Sequence, residues 1–344
     1  MTISRVLAAG DGFVLPGLLA DAARDAVPGV EVTELELPWP HTPFGPVAEV
    51  HEASDVEDEL IEALQGVEAC LTQMAPLTER VLESCPDLRL FGVGRGGPVN
   101  ANLQAATRHG VTVTFAPGRN ASATAEHTVA LMLAASRRIP EVHAELRAGV
   151  WRGDGYAWDR VGPELAGSTA GVVGHGAIGR RVARILAAYG ADVLVADPFA
   201  SPEDLEVGTL VELQELFARS TFVTVHARAT PETEGMVSAA ALASMPEGGV
   251  VVNCARGSLV DQDAVCDALD SGQLFGAAFD VYAVEPPPPG DRLLTTPGVV
   301  LTPHLAGASR RTALTAAEIV AADLARVSRG DRPEHCANPD VLDG

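Results

Sequence analysis

Along the first third of the chain, short β-branched runs alternate with amphipathic helical stretches. The runs "RVLAAG" (5–10), "GVEVTEL" (29–35), "VEACLT" (67–72), "LRLFGV" (88–93) and "VTVTF" (111–115) predict strands. Helical periods near 13–26, 55–65, 77–84 and 100–109 lie between them. Parallel neighbours need a long crossover, so this alternation predicts an α/β unit with a parallel sheet. Residues 122–149 read as one long helix, bent at Pro140. From "TAGVVG" the alternation restarts, with strands expected at 170–173, 192–196, 221–225, 249–252, 276–279 and 298–301. A last helix is expected at 309–328. The pattern therefore predicts two doubly wound units joined by a long helix, with the final helix returning to the first unit. The proline-rich stretch "PWPHTPFGP" (38–46) is a candidate for an active-site rim.

Composition narrows this picture. With 344 residues, 47% of them apolar and 20% charged, two globular domains are the natural expectation. No apolar run reaches 18 residues, and the N-terminus has no basic segment followed by an apolar core, so neither a membrane span nor a secretory leader is expected. Five cysteines, odd in number and without a C-x-x-C pair, argue against a disulfide framework or a zinc site and suit the cytoplasm. All 24 basic residues are arginine, which excludes a Schiff-base lysine and a P-loop lysine. A net charge of −22 makes nucleic acid and anionic lipid poor partners. An anionic substrate would have to be captured by a few local arginines.

Two glycine patterns compete for a dinucleotide. "GVGRGGPVN" (92–100) and "GHGAIG" (174–179) both fit G-x-G-x-x-G. The second follows a strand, opens a long helix, and is followed by a strand ending in Asp197. There Gly174 permits the turn, Gly176 lets backbone approach a pyrophosphate, and Gly179 lets helix pack on strand. Amides around Ala177 and Ile178 at the helix start would face the phosphates. Asp197 would bind ribose hydroxyls and repel a 2′-phosphate, favouring NAD over NADP. A ligand-free tight turn and an S-adenosylmethionine site are the alternatives. The first pattern has no acidic residue after its next strand and reads as a loop for a smaller anion.

Arg256, Glu285 and His304 each follow a predicted strand of the second unit, where ligands bind in open α/β sheets. With "GHGAIG", the stretches "TPETEGMVSAAALASMPEGGVVVNCARGSLVD", "FDVYAVEP" and "TPHLAGAS" closely resemble the D-isomer-specific 2-hydroxyacid dehydrogenases over nearly the whole chain.

The resemblance implies a Rossmann NAD-binding domain at 119–307 and a flavodoxin-like substrate domain at 1–118 plus 308–344, with a cleft closing between them. It implies Arg256, Glu285 and His304 as the catalytic triad and NAD as the cofactor. His226, Cys254, Ala255, Asp280 and His304 would join the glycine loop in holding NAD, with Asp280 facing the nicotinamide carboxamide. The substrate would lie on Val93, Gly94, Arg95, Gly96, Arg256 and His304, its carboxylate on loop amides within 92–97. The helix at 122–149 would build a homodimer, and no C-terminal regulatory domain is expected.

Arg95 departs from the family's usual aspartate-containing loop. It is either a surface arginine or a second cation for a phosphate, phosphonate or second carboxylate. Arg119 and Arg228 lie on other loops expected to line the cleft. The expected activity is the interconversion of an anionic 2-keto acid and its D-2-hydroxy acid. An NAD-sensing co-repressor-like protein and a formate dehydrogenase-like enzyme are the alternatives.

Overall fold

The computed structural model describes residues 3–39 and 43–343. Residues 40–42 of the expected rim segment lie outside the described residues. The chain divides into two compact units, Met1–Asn120 with Ala308–Gly344, and Ala121–Gly307. The boundaries expected from the sequence lay at 118/119 and 307/308.

The first unit holds five parallel strands: β1 (Arg5–Gly10), β2 (Glu31–Glu36), β3 (Ala69–Thr72), β4 (Leu90–Val93) and β5 (Thr112–Phe115). Their order is β2-β1-β3-β4-β5. Strands β3 and β4 are buried throughout, as apolar runs covered on both faces must be. One face is covered by the helices Pro16–Ala26 and Arg310–Ser328, the latter laying Ala313, Ala316, Ala317, Val320 and Leu324 into a core with Val6, Leu71 and Leu90. The last helix thus belongs to the first unit. On the other face Leu60, Leu64, Val81, Leu82 and Ala105 pack against Leu7, Phe91 and Val113.

The second unit holds β6 (Thr169–Val173), β7 (Asp192–Ala196), β8 (Thr209–Leu210), β9 (Phe222–Val225), β10 (Gly249–Asn253), β11 (Leu274–Phe279) and β12 (Val299–Leu301). All pair in parallel, in the order β12-β11-β10-β9-β6-β7-β8. Counted within the unit this is 3-2-1-4-5-6 with a seventh strand at the far edge, the doubly wound dinucleotide order. The strand order reverses between β6 and β9, so a crevice opens at their carboxyl ends. Two-residue β8 has no counterpart among the strands expected from the sequence, being too short to show a period.

The expected helix at 122–149 is two helices, Ala121–Ser136 and Ile139–Arg147. The break precedes Pro140. A proline ring clashes with the carbonyl four residues back, here Ser136, where the first helix stops. Pro140 then sits in the first turn of the second helix, the position that tolerates it. Between them Arg138 takes φ 48°, with its guanidinium 4.6 Å from the Phe275 ring centroid. The first helix is buried in its own unit along Ala125, Val129, Met132 and Ala135, whereas the second has no buried residue.

Candidate active site

At the β6–β9 crevice the glycine loop is shaped by close contacts. Gly174 has φ +93°, and a Cβ there would lie 2.8 Å from the carbonyl of His226, which follows β9. A Cβ on Gly179 would fall 1.9 Å from the Gly174 carbonyl oxygen. Gly176 faces open space, with no atom within 4 Å of where a side chain would begin. Ala177 and Ile178 lead into the helix Gly179–Ala188; their amides and that of Gly179 have no acceptor among the described residues and are available to an anion, whereas the Arg180 amide already bonds the Gly176 carbonyl at 3.1 Å. Asp197, just past β7, accepts the His175 amide at 2.6 Å and the Phe199 amide at 2.9 Å, one on each oxygen. Each oxygen keeps a further lone pair. A tight turn, an unobstructed middle glycine, helix amides and a half-buried carboxylate together fit a dinucleotide.

His226 bonds Thr224 Oγ1 through Nε2 at 3.0 Å, and its Nδ1 is sealed from solvent without a partner among the described residues. Burial pushes its pKa down to about 3, so the ring is neutral. It stands against the glycine loop and is no acid–base group near neutral pH. Cys254, just past β10, is buried, and burial pushes its thiol pKa up to about 12.

Arg256, Glu285 and His304 stand on the loops that follow three neighbouring strands, β10, β11 and β12. Asn253, fully buried at the end of β10, accepts the Ala255 amide at 3.0 Å and donates to the Arg256 carbonyl at 2.9 Å, folding the loop that presents Arg256. Gly257 lets that loop press on the next: a Cβ there would lie 2.0 Å from the Tyr282 carbonyl. Glu285 Oε1 accepts the Tyr282 amide at 3.0 Å, which turns Oε2 towards His304 Nδ1, 2.7 Å away. Arg256 is exposed, donates from Nη1 to its neighbour's carbonyl at Ala255, and makes no other side-chain hydrogen bond among the described residues.

His304 takes φ 51°, a left-handed conformation that few histidines adopt. Asp280 holds it there. The buried Asp280 carboxylate accepts Thr302 Oγ1 at 2.6 Å and the amides of Leu305 and Ala306 at 2.9 and 2.8 Å, while its own carbonyl accepts the His304 amide at 2.8 Å. His127 Nε2 completes the cluster, 3.0 Å from Thr302 Oγ1. Asp280 therefore spends its carboxylate on the loop that carries His304. Neither Asn253 nor Asp280 as a loop clamp was visible in the sequence, because hydrogen bonds across strands leave no local spacing.

The electrostatics follow from this geometry. The Glu285 hydrogen bond and charge raise the His304 pKa above its ordinary value, against burial and the Arg256 charge. Burial pushes the Glu285 carboxyl upward, but His304, the Tyr282 amide and Arg256 outweigh it and hold it below the usual range. An ionised carboxylate only accepts, so His304 Nδ1 carries a proton and Nε2 is the nitrogen that titrates.

In the first unit, Val93 ends β4, and the amides of the next two residues are already engaged: Gly94 donates to the Thr72 carbonyl at 2.6 Å and Arg95 to the Val93 carbonyl at 2.7 Å. Within 94–97 the amides with no internal acceptor among the described residues are those of Gly96 and Gly97. Arg95 turns its guanidinium to Glu52, and Arg119 donates to Gln73 Oε1 at 2.8 Å. Arg228 belongs to the second unit and is exposed.

Residues 129–306 match the family model described as "D-isomer specific 2-hydroxyacid dehydrogenase, NAD binding domain". The chain is 38% identical over 276 residues to a D-3-phosphoglycerate dehydrogenase of Archaeoglobus fulgidus, covering 79% of this chain and 52% of that one. It is 35% identical over 294 residues to a glyoxylate reductase of Korarchaeum cryptofilum, covering 85% and 89%. The chain spans about half the length of the curated phosphoglycerate dehydrogenases it matches. Among solved structures, the TT0316 protein of Thermus thermophilus superimposes with a TM-score of 0.77 at 32% identity over 97% of this chain and 99% of that one. A D-lactate dehydrogenase of Treponema pallidum, 24% identical over 96% and 99%, shares the fold with a TM-score of 0.80. The chain belongs to the D-isomer-specific 2-hydroxyacid dehydrogenase family.

Proposed function

We propose that this protein interconverts a 2-keto acid and its D-2-hydroxy acid with NAD. The His304–Glu285 pair carries this reading: a carboxylate fixed by a backbone amide holds Nδ1 at 2.7 Å, leaving Nε2 as the proton-transferring atom. Reduction of a keto group needs a proton delivered to oxygen. His304, kept protonated by Glu285, donates it from Nε2, and the neutral ring takes a hydroxyl proton in the oxidative direction. Arg256 pairs with the substrate carboxylate through its remaining donors and polarises the carbonyl. The glycine loop and Asp197 would hold NAD, which when bound would supply or accept the hydride. Asp197 favours NAD over NADP, because its carboxylate repels a 2′-phosphate and no arginine stands among residues 198–201.

The strand order β2-β1-β3-β4-β5 supports a flavodoxin-like substrate domain in the first unit. There the amides of Gly96 and Gly97 are the donors available to a carboxylate. A homodimer belongs to the same reading, built on the exposed helix Ile139–Arg147.

The test is NADH oxidation on a panel of 2-keto acids, with chiral analysis of the product. Turnover to the D-hydroxy acid is expected, and His304→Ala is expected to lose about 100- to 10,000-fold in kcat while still binding NADH. Near-wild-type turnover by His304→Ala on the preferred substrate would overturn the assignment.

A further inference from the structure

Four loops of the first unit bring an unusual set of polar and charged groups together at the point where its strand order reverses. Asp11 follows β1, Gln73 follows β3, Arg95 follows β4 and Arg119 lies four residues past β5. All stand at carboxyl ends of parallel strands, beside the β1–β3 switch point where open α/β sheets bind ligands. Buried Asp11 accepts the amides of Phe13 and Val14 on Oδ1, both at 2.8 Å, and Gln73 Nε2 on Oδ2 at 3.3 Å. Gln73 Oε1 in turn accepts Arg119 Nη1 at 2.8 Å. Arg119 thus reaches its nearest acid only through an amide, and none of the ion pairs among the described residues includes it. Its guanidinium also lies 5.8 Å from the Phe13 ring centroid. Arg95 is close enough for its charge to press on Arg119. Burial first, and then that neighbouring charge, lower the Arg119 pKa to about 10.

Two like charges, both partly buried and close together, are costly unless something negative joins them. Arg95 has Glu52, which it holds by both the carboxylate and the backbone carbonyl. Glu52 is the replaceable partner: its side chain is 57% exposed against 18% for Arg95, and its φ of 49° is one a glutamate rarely adopts. A bound anion can take the place of the Glu52 carboxylate without unfolding anything. With Glu52 displaced, two guanidiniums face one buried carboxylate, a net single positive charge. One monoanion balances it, whereas a phosphate or phosphonate dianion leaves an excess.

We infer that Arg95 and Arg119 form a subsite for a second carboxylate, in the tail of the 2-keto or 2-hydroxy acid, with Glu52 as its internal competitor. This rests on the dehydrogenase reading above and specifies its substrate as a 2-keto dicarboxylic acid. Both guanidiniums can present paired N–H donors to the tail, geometry that a neutral-tailed substrate leaves unused.

Initial rates with NADH on oxaloacetate and 2-oxoglutarate, against pyruvate, 2-oxobutyrate and 3-phosphonooxypyruvate, test this. The better dicarboxylate is expected to exceed the neutral-tailed acids in kcat/KM by about 100-fold, the worth of paired charge-assisted hydrogen bonds. Arg119→Gln should lower that ratio by about 10- to 100-fold, mainly through KM, and Arg95→Gln carries the same measurement if Arg119→Gln does not fold. Glu52→Gln, on the surface, should move it the other way. Preference for a neutral tail, preference for the phosphate tail, or a ratio indifferent to these substitutions overturns the carboxylate subsite while leaving the dehydrogenase intact. If no 2-keto acid is turned over, the dehydrogenase reading fails. The subsite is then judged by thermal unfolding with glutarate against butyrate: stabilisation by glutarate alone, stronger in Glu52→Gln, supports it, and equal responses overturn it.

Discussion

A hydrogen bond of 2.7 Å between His304 Nδ1 and Glu285 Oε2 sets the direction of pH dependence. Because Glu285 raises the His304 pKa, the protonated form persists above the ordinary histidine range and is lost as pH rises through the raised value. Reduction needs that proton, so kcat for reduction should be level at low pH and fall on the alkaline side. Oxidation needs the neutral ring and should rise across the same interval. Glu285→Gln removes the carboxylate charge, so the reductive profile should break at lower pH, and kcat near neutrality should drop. A pH–rate series on wild type and Glu285→Gln checks this, and coincident profiles would disconnect Glu285 from the titrating group. Arg256, Glu285 and His304 were legible because each stands in a distinctive stretch just past a strand. What sequence could not show is how they are held: the left-handed φ of His304 and the Asp280 cluster under it depend on donors brought together from β11, β12 and a helix far back in the chain.

Among the elements, strands are more legible in the sequence than helix ends. Buried parallel strands are apolar runs bounded by glycine and polar residues, so β1, β6, β7 and β10 stand out in the sequence, while β8, two residues long, has no pattern to read. Pro140 announces a disrupted helix, but its clash falls a turn earlier, so the break lies between Ser136 and Ile139. Of the two glycine patterns, "GHGAIG" alone is followed by a long helix packed against its own turn. Gly179 is the residue that allows this approach. Gly179→Ala would place a methyl group 1.9 Å from the Gly174 oxygen, and the helix start must move away from the loop. NADH affinity, read by fluorescence titration, should weaken by about 10-fold or more, since the amides that face the phosphates move with the helix. Wild-type affinity in a folded Gly179→Ala protein would show that the helix start does not bind the cofactor.

For the whole molecule, the partner surface has to be sought where apolar side chains remain in water. Of the stretch 122–149 expected to build a homodimer, the first helix, Ala121–Ser136, packs into the core of its own unit. The exposed surface begins after the break. Ile139, Val142, Leu146 and Val150 recur at spacings that put them on one helical face and its extension, and Trp151, Tyr156, Trp158 and Val161 follow, all exposed. Apolar contiguity of this kind marks an interface rather than ordinary surface. A second copy of the chain is the partner that suits it, since a two-fold pairing sets the same patch against itself. The protein should therefore sediment at twice the chain mass. Val142→Glu with Leu146→Glu buries two carboxylates where two aliphatic side chains would have been covered. Losing about 1.5–3 kcal/mol for each should raise the dimer Kd by at least about 100-fold, leaving a folded monomer. Sedimentation velocity across a concentration series, with circular dichroism on the same samples, measures both quantities. A wild-type monomer at every concentration, or a double variant that dimerises as before, would place the interface elsewhere on the chain.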